Sequence, residues 1–185
     1  MVMKHKEQRV AVFFDIQNLY HSAKNLYQAR VNFNEVLKVA VANRKLIRAI
    51  AYVVKSETAE GEASFFGALE KIGIELRIKD LQIYPGGLKK ADWDVGMAVD
   101  AIRLSNSLDA IVLITGDGDF LPLISYLKGN GKQVEVIGFG RSASSKLKDE
   151  ADEFIDLEAQ PEKFLIRSPI YSKKGLIKLR MKKTK

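Results

Sequence analysis

Two aspartates one glycine apart, Asp117 and Asp119, close the most apolar run of the sequence, VLITGDGDF at 112–120. Asp15 closes an earlier run of the same kind, VAVFFD at 10–15, and Asn18 follows three residues later. Asp94 stands in the first turn of a helix expected over 92–105, after the loop YPGGLKK at 84–90. Two carboxylates ~4 Å apart repel by roughly 4 kcal/mol at the effective dielectric of ~20 typical near a protein surface. Four drawn together either take up protons or hold a cation. The chain has no cysteine, and its two histidines, His5 and His21, lack metal-ligand spacing. An all-oxygen donor set selects a hard ion, Mg²⁺ or Mn²⁺. Such ions suit phosphate chemistry, where they activate a water and steady a leaving oxygen.

Each of these residues also has an ordinary structural role open to it. Asp15 can cap the helix that follows it, and Asp119 can cap a helix expected over 120–129. Asp94 is a first-turn acid of the kind the helix dipole favours, and Asp92 is nearly as well placed. Asp100, roughly 240° farther around the helix, cannot point at the same ion as Asp94. Thr115 either hydrogen-bonds a ligand carboxylate or fixes the turn, or else serves packing alone. Gly118 is expected to let the backbone turn so that both flanking carboxylates face one point.

The elements that must position these groups alternate along the chain. Strands are expected at 10–15, 46–54, 74–81, 110–114, 133–139 and 153–157. Helices are expected at 18–29, 34–43 with Asn34 as cap, roughly 57–72 stopped by Gly73, 92–105, 120–129 with Pro122 in its first turn, and 145–151. In the fourth of these, Val95, Ala98, Val99 and Ile102 share one side. Alternation without an internal repeat predicts an α/β fold, one domain over about 1–160 around a mainly parallel sheet of five to six strands. In such sheets ligands gather outside the carboxyl ends of the strands, where the strand order reverses. Asp15, Asp117 and Asp119 all fall at such ends.

At 185 residues and 46% apolar, the chain can bury a sizeable core. Its longest apolar runs, AIAYVV and AIVLI, fall far short of the ~20 residues of a membrane span. The charged start, MVMKHKEQRV, reads as no secretory signal, so a cytoplasmic location is expected. The net charge of +7 belongs to the last fifteen residues, which hold seven cations and no acid; residues 1–170 carry 23 of each sign. A cationic tail on a neutral body suits a polyanion partner, or simply solubility. Its segment GLIKLRMKK alternates apolar and basic residues, compatible with an edge strand, a homodimer contact or a disordered arm. Arg141, Ser142, Ser144, Ser145 and Lys146 follow the fifth strand, where they either hold a substrate phosphate or cap a helix.

Three blocks together resemble the signatures of NYN domains, of the PIN-like nuclease superfamily, and most of all the LabA-like branch: FFDIQNLY (13–20), KKADWDVGMAVDAI (89–102) and ITGDGDF (114–120). SSKLKDEADEFIDLE (144–158) resembles the ending common in that branch. The resemblance implies a PIN-like, Rossmann-like three-layer fold and metal-dependent hydrolysis of RNA. A metal-activated water would attack in line at phosphorus and leave 5′-phosphate products. It makes Asp15, Asp94, Asp117 and Asp119 the acids holding one or two Mg²⁺ or Mn²⁺ ions, with Asn18 shaping the site and Asp100 supporting it. The family's middle block commonly reads Lys-Gly-Val-Asp-Val; here Lys90, a phosphate-contact candidate, lies one residue farther back and Asp92 is a possible extra ligand. The tail, with Lys173, Lys174, Lys178 and Arg180 as candidate RNA contacts, lies outside the resemblance. No organic cofactor is implied. A phosphatase of the haloacid dehalogenase type would need an acid where Gln17 stands. The remaining alternative is a non-catalytic RNA-binding or regulatory module that keeps the fold.

Overall fold

The run VAVFF at 10–14 is buried on both sides, as a central strand of a parallel sheet requires, and it forms the middle of β1 (Arg9–Asp15). The computed structural model describes residues 2–55, 61–80, 82–83, 89–90 and 93–167, the two short pairs by backbone alone. After β1 come α1 (Ile16–Tyr27), β2 (Ala29–Val31), α2 (Phe33–Val41), β3 (Lys45–Lys55), α3 (Glu62–Lys71) and β4 (Glu75–Asp80). A ribbon of β5 (Gln82–Ile83) and β6 (Lys89–Lys90) precedes α4 (Asp94–Ser105) and β7 (Ala110–Ile114). The chain continues through α5 (Leu121–Gly129), β8 (Gln133–Gly138), α6 (Ser145–Glu150), β9 (Glu153–Asp156), α7 (Pro161–Phe164) and β10 (Leu165–Arg167). Among the described residues no helix is long and apolar enough to cross a membrane.

Six strands pair in the order β4-β3-β1-β7-β8-β9, every pairing parallel. The order reverses between β1 and β7, the switch point of a doubly wound sheet. Val10, Val12 and Phe14 face a layer in which Leu19 and Ala23 of α1, Val36 and Leu37 of α2 and Leu69 of α3 are buried. Ala11 and Phe13 face the opposite layer, built on Met97 and Ala101 of α4, Leu123, Ile124 and Leu127 of α5 and Leu147 of α6. The fold is therefore the three-layer arrangement expected, with β4 half-exposed at an edge.

Several local expectations are corrected. The cap of α2 is Asn32, whose side chain accepts from the Glu35 N–H, and Asn34 lies inside the helix. In α4 the buried positions are Met97, Ala101 and Ser105, while Val95, Val99 and Ile102 are exposed. The apolar spacing is helical, but two polar contacts set its phase. The Tyr52 hydroxyl donates to Asp100 at 3.0 Å, and the Trp93 indole N–H donates to the Val53 carbonyl at 2.9 Å. Residues 161–167, just past the domain expected over about 1–160, bury Phe164 and Leu165 and pair β10 antiparallel to β2.

A fully buried ion pair joins the turn before β3 to β8, across β1 and β7. Arg44 reaches Glu135 with two guanidinium nitrogens and donates also to the Ala40 and Val41 carbonyls. Burial alone would push the Glu135 carboxyl up, but Arg44 and Lys4 hold it below its ordinary range. Replacing Glu135 by Gln strands the buried guanidinium and should cost about 3 kcal/mol of unfolding free energy at pH 7, read by urea denaturation. Because the folded value is depressed, this stabilisation is present above the unfolded value near ~4.3 and is lost as pH falls through the folded one. The gap between the wild type and Glu135→Gln should accordingly narrow below about pH 4.

Candidate metal centre

At the switch point, side chains stitch the end of β1 to the end of β7. Asp15 caps α1, its Oδ1 accepting the Asn18 N–H at 3.1 Å. Its Oδ2 accepts the hydroxyl of Thr115 at 2.9 Å, and that hydroxyl oxygen accepts the Asp117 N–H at 3.1 Å. Thr115 is fully buried. Asn18 Oδ1 in turn accepts the Gly116 N–H at 2.9 Å. Thr115 thus both holds a site carboxylate and fixes the turn.

Asp117 accepts the Asp119 N–H at 3.0 Å and caps a single 3-10 turn, Gly118–Phe120. The capping role weighed for Asp119 falls to Asp117, and Asp119 stays exposed. Gly118 is not in the left-handed region, and the carboxylates that flank it reach within 4.8 Å of each other. Space there is tight, since a Cβ would lie 3.0 Å from the Ser144 hydroxyl oxygen.

Asp94 arrives from α4, at whose start the Trp93 ring packs against Tyr52 with centroids 5.6 Å apart. A Cβ on Gly96 would come 2.5 Å from that indole, so only glycine lets Trp93 lie along the helix. Asp100 sits away from the cleft-lining residues, bonded to the Tyr52 hydroxyl and 3.4 Å from Arg77 Nε. It accepts from Tyr52, whose ring packs on Trp93, the residue before Asp94.

Asp94, Asp117 and Asp119 each offer a carboxylate oxygen, all within 4.8 Å of one another. A shallow cleft of about 220 Å³ is lined by Asp15, Gln17, Asn18, His21, Asp94 and Asp117. Asp15 shares that cleft but stands outside the tight group of three. Burial pushes its carboxyl above the ordinary range and the Asp117 charge adds to this, against hydrogen bonds from Asn18 and Thr115 and the charge of His21. Each Asp15 oxygen has a lone pair left for a ligand. A cluster of hard oxygen donors with this much repulsion fits a divalent cation of the Mg²⁺ or Mn²⁺ kind.

Other candidates are placed elsewhere or are already engaged. Arg141 pairs with Glu158 at 3.0 Å and lies over the Tyr27 ring, so its charge is largely spent within the fold. Ser142 bonds to Ser22, and the Ser144 N–H donates to the Gly116 carbonyl. Ser145 and Lys146 begin α6 and are exposed. Lys90 lies in β6, opposite Gln82. Asp92 and the tail cations Lys173, Lys174, Lys178 and Arg180 lie outside the described residues. Gln17 and His21 were missed as cleft residues, yet with Asn18 they follow the helical spacing that puts side chains on one face.

An α/β sheet wound in both directions, with acids gathered at its switch point, defines a class, and the chain belongs to the NYN domain family, whose profile matches residues 9–158. NYN domains have the PIN-like nuclease fold. Over 167 residues the chain is 25% identical to the low amplitude and bright protein LabA of Synechococcus elongatus, covering 84% of this chain and 87% of that one. A stretch of 72 residues is 42% identical to an uncharacterized protein of Methanocaldococcus jannaschii, covering 38% of this chain and 30% of that one. A crystal structure of a protein of unknown function from Vibrio parahaemolyticus matches with a TM-score of 0.79 at 30% identity, over 89% of this chain and 100% of that one.

The stitch at Thr115 can be tested directly. Thr115→Val removes a donor from Asp15 and orphans the Asp117 N–H, and should lower stability by about 1–3 kcal/mol. Metal affinity should fall by about tenfold or more, as for residues that orient ligands. Thr115→Ser should keep most of both, read by urea denaturation and Mn²⁺ titration.

Proposed function

We propose that this domain is a metal-dependent ribonuclease that hydrolyses RNA phosphodiester bonds and leaves 5′-phosphate products. The observation that carries this is the convergence of the Asp94, Asp117 and Asp119 carboxylates at the switch point of an NYN fold. Clustering negative charge where RNA would lie gains a pure RNA-binding module nothing, since the acids repel the phosphates. One or two Mg²⁺ or Mn²⁺ ions held there would supply Lewis acidity, lowering the pKa of water and neutralising charge that develops on the phosphate.

The chain's own residues have distinct tasks in this reading. Asp94, Asp117 and Asp119 hold the cation, and Asp15 completes the donor set from the cleft wall. Thr115 and Asn18 keep Asp15 and the 115–117 turn in fixed relation, so that little reorganisation is needed when substrate binds. Asp100 and Tyr52 keep Trp93, and with it Asp94, against the sheet. Lys173, Lys174, Lys178 and Arg180 are proposed to add sequence-independent affinity for the RNA backbone through counterion release.

The test is cleavage of a 5′-labelled oligoribonucleotide with Mn²⁺ or Mg²⁺ by the wild type and Asp117→Asn. The wild type should cut and leave 5′-phosphate ends, EDTA should stop it, and Asp117→Asn should be slower by about 100-fold or more. Equal cleavage by the two proteins would remove Asp117 from catalysis. RNA bound but not cut by the wild type would favour the binding module.

A further inference from the structure

We infer that Tyr20, His21 and Lys24 on the outer side of α1 form a nucleotide-holding subsite that admits single-stranded RNA to the acid cleft, with the Tyr20 ring as its stacking platform. The inference rests on the ribonuclease reading above and adds to it the strandedness of the substrate. Its starting point is an electrostatic problem. The described residues lining the cleft are three aspartates, Gln17, Asn18 and His21, with no lysine or arginine among them. A polyanion that enters needs favourable contacts beside the cleft to offset that charge.

The wall formed by α1 offers them. His21 lines the cleft, and the Tyr20 ring stands beside it edge to face, with centroids 5.5 Å apart and planes at 75°. Tyr20 is 50% exposed and does no work in the core, where α1 is anchored by Ile16, Leu19, Ser22 and Ala23. Lys24 follows one turn later, its ammonium 5.4 Å from the Tyr20 ring centroid and 3.4 Å from the hydroxyl. Arg48, Arg77 and Arg141 are each paired with a carboxylate, whereas among the described residues Lys24 meets only Tyr20. An aromatic face, a polar ring at the cleft edge and an ammonium with no acid partner among the described residues thus lie along two turns of one helix.

These are the components by which single strands are held: a base stacks on the ring while a cation takes the adjoining phosphate. A duplex keeps its bases stacked within the helix and cannot present one to Tyr20, so the subsite favours single strands. The test is fluorescence anisotropy of a labelled oligoribonucleotide, single-stranded or annealed, in an Asp117→Asn background that does not cut. Adding Tyr20→Ala should weaken single-strand binding by about 5- to 100-fold and leave duplex binding unchanged. Tyr20→Phe and Tyr20→Trp should stay within about threefold of the parent, because stacking needs the ring and not the hydroxyl. Lys24→Ala should lower the slope of log K against log salt by about one. Unchanged single-strand affinity in Tyr20→Ala, or an equal loss on the duplex, overturns the subsite, and wild-type cleavage would then leave the ribonuclease reading standing. No binding of RNA by the parent or the wild type removes both.

Discussion

The buried hydroxyl of Thr115 is the contact on which the candidate centre depends. By donating to Asp15 and accepting from the Asp117 N–H, it turns two sequence-distant strand ends into one rigid edge. Asn18 closes the same edge from the helix side by accepting from Gly116. The contact is possible because β1 and β7 are neighbours, and they are neighbours because the sheet winds both ways from β1. Just over a hundred positions separate Asp15 from Asp117 in sequence, yet their proximity follows from that topology and one hydroxyl. Burial, and to a smaller degree the Asp117 charge, raises the Asp15 carboxyl above its ordinary range. Carboxylate oxygens gathered this closely are the kind of donor a hard divalent ion takes.

α4 contributes to the centre in a different way. Beside Asp94 the Trp93 ring lies against Gly96 and Tyr52, and Asp100 accepts the hydrogen bond of the Tyr52 hydroxyl. The same contacts turn the helix so that Val95, Val99 and Ile102 face outward. Met97 and Ala101 take the inward face instead.

Much of this was legible in the sequence. Fully apolar runs such as VAVFF and AIVLI announced central parallel strands, and the carboxyl-end rule then located Asp15, Asp117 and Asp119. What could not be read were choices made by tertiary contacts. Apolar spacing gave the helical period of α4 but not its phase, which Tyr52 and Trp93 set. The close approach of Ser144 to Gly118, from 26 residues away in sequence, is another such tertiary contact. β2 and β10 are three residues each, too short to show an alternation. The charge of Arg141 looked available until Glu158 was seen beside it.

The most direct measurement of the central claim is thermal unfolding of the wild type and an Asp94→Asn/Asp117→Asn double variant across a Mn²⁺ titration. A cation held by these carboxylates stabilises the wild type by about 2.7 kcal/mol at a hundredfold excess over its dissociation constant. The double variant should start at or above the metal-free wild type in stability, because it lacks the repulsion, and should not respond to Mn²⁺. An equal upward shift in both proteins, or none in either, would contradict a metal centre at the β1–β7 switch point.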